Sequence, residues 1–282
     1  MHITDLGGHS GCRILLCEND DNRVFVRKIS GYVEYNNRLR VQAEKQSIYK
    51  NETIKTPKVL NQGETEEGLF YFDMEYVRGI TLSEYMKSIE VGKVRNLVQK
   101  LVREVITIDA SEQEVNENIF LDKINSLKYN LLGQENPIID KAIQILENHS
   151  WSKFKKTSCH GDLTLENIIV KDNELYLIDF LDSFYDCWIL DISTLMQDVQ
   201  TLWSYRYEEE ININTLIRLV IFRDILMETV QSIAPDYHIE VYYALLLKLI
   251  RIFPYIKDVE TMNFLNEKTK SIIEVIRLLE EQ

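Results

Sequence analysis

A chain of 282 residues with 45% apolar content carries enough hydrophobic side chains for one substantial core or two smaller ones. Its 32 Lys and Arg against 45 Asp and Glu leave a net charge of −13, which repels nucleic acid and anionic membrane surfaces, and no local basic patch offsets it. No stretch reaches the ~20 apolar residues of a membrane helix, and the start of the chain lacks a basic segment followed by a hydrophobic one, so a cytoplasmic protein is expected.

Cys12, Cys17, Cys159 and Cys187 form no CxxC pair, which speaks against a zinc site or a disulfide framework. In chain order, a short strand from His2 to Leu6 leads into "GGHSG", whose glycines suit a hairpin tip. "CRILLCE" and "RVFVRKI", separated by "NDDN", predict an antiparallel pair. From about Val33 to Lys50 the pattern is polar and helix-permissive, and it ends before "TPKVL", where Pro57 excludes helix and a new strand can begin.

"GLFYFDMEYVRG" predicts an aromatic strand running into Gly79. From "TLSEYMKSIEVGKVRNLVQKLVREVITID" onward the apolar residues fall at helical spacing. A boundary near Val77 to Thr81 follows, dividing the chain into a β-rich lobe, 1–79, and a larger helical lobe, 80–282. Ser111 to Ser150 is expected to be largely helical. "NIIV" and "LYLID" read as two short buried strands joined by the turn "KDNE", and everything after Asp191 as helix, including "INTLIRLVIFRDILMETV" and "VYYALLLKLIRIF".

The densest polar chemistry lies in "SCHGDLTLENIIV", a loop between a helix and a hairpin, where rigid flanks can present side chains. Asp162 and Asn167 are five residues apart, and Asp179 follows in "LIDF". An Asp that accepts a hydroxyl proton, an Asn that binds magnesium and a second Asp on the next strand suffice for phosphoryl transfer, in which positioning and charge neutralisation dominate. A polar turn with an N-cap Asp is the alternative for the triplet alone.

"HGDLTLEN" followed by "LIDF" resembles the catalytic loop and metal-binding strand of the aminoglycoside phosphotransferase and choline kinase family, relatives of the protein kinases. The resemblance implies a two-lobed, protein-kinase-like α+β fold with ATP and Mg2+ between a small β-rich lobe and a larger helical lobe. It makes Asp162 the catalytic base, Asn167 and Asp179 magnesium ligands, and His160 a structural brace of the loop. Asp191, in "WILDIS", matches the later Asp that holds the catalytic loop from a helix start; an N-cap role would use the same residue.

In the same resemblance, Gly7, Gly8, Ser10 and Gly11 form the phosphate loop. Arg27 and Lys28 are strand neighbours on opposite faces, so one of them reaches the phosphates; Lys28 is chosen, and Arg27 is expected to be solvated. Val26 shares the face of Lys28 and would cover the adenine, Met74 would lie behind it, and backbone groups around Glu75 and Val77 would meet its edge. The helix partner of Lys28 is either Glu44 or Gln42, with Glu44 preferred for its charge.

The acceptor is expected to be a small-molecule hydroxyl compound, because the chain passes from "LIDF" to "LDIS" too quickly for a protein-kinase activation segment. Asp182 and Asp186 could face it, and Trp203 and Tyr205, near Arg206 and Tyr207, could stack on a sugar or enclose an ammonium group. A sugar or amino alcohol metabolite ranks first and an aminoglycoside second. A nucleotide-binding regulator that transfers no phosphate is the contrary class, disfavoured by Asp162, Asn167 and Asp179 standing together.

Overall fold

The computed structural model describes residues 2–7, 11–49, 53–107, 114–133 and 135–281. The chain forms two compact units: Met1–Tyr85 with Glu166–Asp182, and Met86–Leu165 with Ser183–Gln282.

The first unit holds β1 (His2–Asp5), β2 (Cys12–Glu18), β3 (Val24–Ser30), helix α1 (Asn36–Ile48), β4 (Ile54–Lys55), β5 (Val59–Glu64), β6 (Phe70–Glu75) and β7 (Ile80–Thr81), and, after a long excursion, β8 (Ile168–Lys171) and β9 (Glu174–Leu177). Five strands pair antiparallel in the order β1-β2-β3-β6-β5. Strand alternation sorts the side chains. Cys12, Val26, Phe70, Phe72 and Met74 pack on one face with Tyr35, Leu39 and Ala43 from the helical side, while Leu15, Cys17 and Ile29 pack with Phe25, Leu69 and Tyr71 on the other.

Arg27 falls on that second face opposite Asp73, its register partner. It is not solvated as expected: Nε and Nη2 donate to both Asp73 oxygens at 2.7 and 2.9 Å, and its guanidinium lies 4.1 Å from the centre of the Tyr71 ring. A bidentate pair of this kind outcompetes hydration because two parallel bonds share one rigid fork.

The second sheet, β4-β9-β8-β7, explains why the boundary departs from the expected 79. Ile80 pairs with Val170 and Thr81 with Ile169, and β4 runs parallel to β9, so Glu166–Asp182 returns to the first unit rather than joining the helical one. The β8–β9 turn is built on Asp172 and Asn173 at φ 50 and 63, the positive angles a two-residue type I′ hairpin requires. At Gly79 a Cβ would come within 2.5 Å of the Val170 carbonyl oxygen, so only glycine lets the chain enter β7 this closely.

The second unit is helical: α2 (Leu82–Met86) leads into it, followed by α3 (Val91–Val105), α4 (Asn118–Asn130), α5 (Pro137–Asn148), α6 (Trp188–Thr201), α7 (Ile213–Ile233), α8 (His238–Ile250) and α9 (Val259–Glu280). Helix α6 is buried along nearly its whole length and packs against α7 and α8. Asn136, Asn212 and Asp258 cap α5, α7 and α9 through side-chain oxygens that accept backbone amides. Among the described residues no helix is long and apolar enough to cross a membrane.

An aromatic cluster fastens α4 to its neighbours. Phe120 is fully buried, stacks on Trp151 at 4.6 Å between ring centres, and touches Phe154, Phe184 and Tyr185 at 4.9–5.5 Å. Phe120→Ala removes the ring that all four share. The expected cost is about 3–5 kcal/mol, a fall of about 6–20 °C in the melting midpoint, measurable by calorimetry. A fall under about 2 °C would show that the cluster is dispensable.

Candidate active site

Lys28 anchors the polar centre of the first unit. Its side chain is 2% exposed, and Nζ donates to Gln42 Oε1 at 3.0 Å and to Asp179 Oδ1. Gln42 in turn donates through Nε2 to the Tyr35 hydroxyl at 3.1 Å. The expected partner, Glu44, is exposed, whereas Gln42 is 1% exposed. Helical phase is the reason: Leu39, Gln42, Ala43 and Gln46 form the buried stripe of α1, and Glu44, two residues from Gln42, lies about 200° around the helix. Lys28 therefore has an amide partner where the family pattern has a carboxylate.

Helix α1 also holds the segment after β9. Lys45 Nζ donates to the Leu181 carbonyl at 3.0 Å, Arg38 Nε lies 3.5 Å from Asp182, and the rings of Tyr49 and Phe180 stand 5.2 Å apart. Asp179 adopts φ 62, a left-handed conformation that Asp tolerates better than most residues and that aims its carboxylate at Lys28. Asn167 is tied beside it, since the Ile178 amide donates to the Asn167 carbonyl at 3.0 Å. A carboxylate and an amide oxygen are the hard donors magnesium accepts, and such ions take one or two protein carboxylates and complete their shell with phosphate and water. No cluster of three or more His, Cys, Asp or Glu suited to a metal exists among the described residues.

Of the expected nucleotide loop, Gly8 and Ser10 lie outside the described residues. Gly7 and Gly11 take φ 72 and 70, open to glycine alone without strain. Gly31, which sequence reasoning passed over, approaches the loop so closely that a Cβ would lie 2.2 Å from the Gly11 carbonyl oxygen. Val26 and Met74 are buried and paired in register. Glu75 has its amide on the Lys58 carbonyl and its carboxylate on the Lys58 amide, and Val77 follows it in extended chain.

The second unit holds the loop that carries Asp162. Asp191, in the first turn of α6 rather than at its N-cap, accepts the amides of His160 and Gly161 at 2.6 and 2.8 Å and the Cys159 thiol at 3.4 Å. Seven residues on, on the same helix face, Asp198 accepts the Leu165 amide at 2.6 Å and both the amide and hydroxyl of Ser204. The loop is thus gripped at both ends by one helix. Between the grips, His160 is fully buried and its Nδ1 accepts the Asp162 amide at 3.3 Å; Gly161 turns the chain at φ 94.

Two cations face this loop, Lys248 buried and Arg251 half-buried, and sequence reasoning missed both. Lys248, on α8, is 7% exposed and reaches the Gly161 carbonyl at 3.5 Å. Burial lowers its pKa, opposed by the negative charges of Asp162 and Asp191. Arg251, just past α8, is lowered by burial in the same way, with Asp162 opposing. A lone Lys inside "VYYALLLKLIRIF" is a buried-polar signal that could have flagged the first of these.

The expected acceptor residues fall in both units. Asp182 belongs to the first unit and faces Arg38, whereas Asp186, in the second, accepts the Ser183 hydroxyl at 2.7 Å. Tyr205 is 2% exposed, so it packs in the core instead of meeting a ligand. Trp203 carries the Arg206 guanidinium at 3.9 Å over its ring, and that same group lies 4.2 Å over Tyr207.

A model of the phosphotransferase enzyme family matches residues 7–216. Among solved structures, an apo-form thermostable mutant of the aminoglycoside phosphotransferase APH(4)-Ia aligns at 11% identity over 98% of this chain and 94% of the other, with a TM-score of 0.65. The amicoumacin kinase hAmiN, in complex with AMP-PNP, Ca2+ and Ami, aligns at 14% identity over 96% and 87%, with a TM-score of 0.62. A GDP complex of an aminoglycoside 2'-phosphotransferase mutant aligns at 15% over 97% and 90%, also at 0.62. At these identities the likeness is one of fold, the two-part α+β architecture of the kinase-like enzymes. No curated protein matches in sequence.

Two predictions follow from the two anchors. Gln42→Ala should weaken ATP binding about tenfold by freeing the Lys28 ammonium, while Glu44→Ala stays within about twofold, as calorimetric titration would read. The reverse order would restore Glu44 as the partner. Burial pushes the Asp198 carboxyl from 3.8 up to about 6, outweighing its three hydrogen bonds. Because the folded pKa is raised, the associated stability is full below about pH 4 and is lost as pH rises through about 6, an effect on the order of 3 kcal/mol. The stability of the wild type relative to Asp198→Asn should therefore fall by that amount between pH 4 and 7 in urea melts; a difference independent of pH would refute the assignment.

Proposed function

Because this chain belongs to the phosphotransferase enzyme family, we propose that it transfers the γ-phosphate of ATP to a hydroxyl of a small molecule. The observation that carries the reading is the buried Lys28 ammonium held between Gln42 and the left-handed Asp179, a cation placed to take phosphate oxygens. In this reading Lys28 binds the phosphates, and Gln42 orients it. Val26 and Met74 line the adenine side, with Glu75 and Val77 supplying backbone groups at its edge. Gly7, Gly8, Ser10 and Gly11 would bring backbone and hydroxyl donors to the phosphates.

Asn167 and Asp179 would hold magnesium, which when bound neutralises charge on the transferring phosphoryl oxygens. Asp162 orients the acceptor hydroxyl and takes its proton as the oxygen attacks phosphorus. His160 and Asp191 are positioning residues: they fix the loop through its backbone amides.

Within the expected range of acceptors, a sugar metabolite is favoured over an amino alcohol or an aminoglycoside. The charged side chains felt by Asp162 from α8 and its end are Lys248 and Arg251, both cationic, and like charge disfavours an ammonium-bearing acceptor. Asp162→Asn should lower turnover about 10²–10⁴-fold while ATP affinity stays nearly unchanged. ADP release against an acceptor panel and nucleotide titration check both halves. Wild-type turnover in the folded variant would remove Asp162 from the chemistry, and ATP binding without ADP release from any acceptor in the wild type would favour the regulator.

A further inference from the structure

We propose that the hydroxyl acceptor is an anion, an alcohol bearing a carboxylate or a phosphate ester, and that Arg251 and Lys123 receive its charge beside the Phe184 ring. The proposal rests on the phosphotransferase reading and names the substrate class for it.

Three elements of the second unit converge here. Phe184 belongs to the loop before α6 and meets Phe120 edge-on at 5.5 Å, which fixes the ring against α4. Arg251, at the end of α8, places its guanidinium carbon 5.4 Å from the ring centre; Lys123, on α4, places its ammonium at 5.9 Å. Both side chains are half-buried. Neither makes an ion pair or a side-chain hydrogen bond among the described residues. Several other partly buried cations of this acidic chain have carboxylates: Arg27 has Asp73, Arg223 has Asp224 and Lys268 has Glu267.

The electrostatics agree with the geometry. Burial lowers the pKa of Lys123, and the like charge of Arg251 lowers it further. Two positive groups that repel each other and are losing water, with no carboxylate in ion-pair contact among the described residues, form a place where an added anion gains Coulomb energy and relieves the repulsion. Asp162 is the carboxylate whose charge acts on Arg251, so the Arg251 end of the pair is the one on the side of the base. Lys248 is already engaged, facing the Gly161 carbonyl and the charges of Asp162 and Asp191, so it steadies the loop rather than joining the anion site.

The step balances simply. The acceptor oxygen forms a bond to the γ-phosphorus, the bond from that phosphorus to the β-bridging oxygen breaks, the hydroxyl proton passes to Asp162, and ADP leaves. The carboxylate or phosphate ester of the acceptor does not react.

The test is an ADP-release assay on matched acceptors: glycerol against glycerate and glycerol phosphate, glucose against gluconate and glucose phosphate, with choline, ethanolamine and kanamycin as the cationic arm. An anionic member should exceed its neutral twin about 100-fold in kcat/KM, and Arg251→Gln should raise its KM about 10–100-fold with little change in kcat or in the KM for ATP. Arg251→Lys should recover part of the loss. The carboxylate and phosphate arms distinguish the two sources of charge. Neutral or cationic acceptors used as well as their anionic twins, or an anionic KM indifferent to Arg251→Gln, would overturn the proposal and leave the phosphotransferase reading intact; failure of ATP to bind would instead sink that reading. Should no panel member react, thermal melts with saturating ADP decide: phosphate or malonate should stabilise the wild type but not the Lys123→Gln, Arg251→Gln double variant, and an equal response in both overturns the proposal.

Discussion

A single buried ammonium organises the first unit. An unpaired Lys28 would lose too much hydration to be tolerated at 2% exposure, so the chain must bring it acceptors. It recruits one from α1 and one from the segment after β9, 151 residues away, and the distant one explains why Glu166–Asp182 returns to the N-terminal sheet. Strand pairing to β4 and β7 and the contacts of Lys45 and Arg38 to residues 181 and 182 complete that return. Replacing the usual carboxylate by Gln42 leaves Asp179 as the anion recorded on Lys28 in this state.

The second unit solves a matching problem with the opposite charge. Asp191 and Asp198 lie two turns apart on a buried helix, and each accepts main-chain amides from the loop that carries Asp162. A backbone amide cannot be mutated away, so the grip is insensitive to which side chains the loop displays. The curve of the chain that presents Asp162 is therefore held through its backbone, while Leu163 beside it is buried in the core. Asp198 is driven toward its neutral form by burial although three donors meet it.

Much of this was legible in the residues. Three strands of the first sheet are legible as the β-branched runs "CRILLCE" and "RVFVRKI" and the aromatic run in "GLFYFDMEYVRG", and the order of Lys28, Asp162, Asn167 and Asp179 points to phosphoryl transfer in the residues alone. Glu44 failed because charge was weighed above helical phase; Leu39 and Ala43 already marked the buried stripe on which Gln42, not Glu44, falls. The boundary at 79 failed because two-residue strands such as Ile80–Thr81 have no periodicity to read, and their partners are remote in sequence. Tyr205 was misplaced since an aromatic beside Trp and Arg looks alike in a core and at a surface. Lys123 and Phe184 carried no local signal at all, because their meaning arises from three elements meeting in space.

The discontinuity of the first unit bears on how the protein is made. Its first 85 residues leave the ribosome lacking β8, β9 and the anion for Lys28, and 97 more must be synthesised before Asp182 appears. At ordinary translation speeds that gap lasts about 5–20 s. During it, the exposed edges for β4 and β7 and an uncompensated lysine wait on a nascent chain, a window in which chaperones or premature strand pairing compete for the same surfaces.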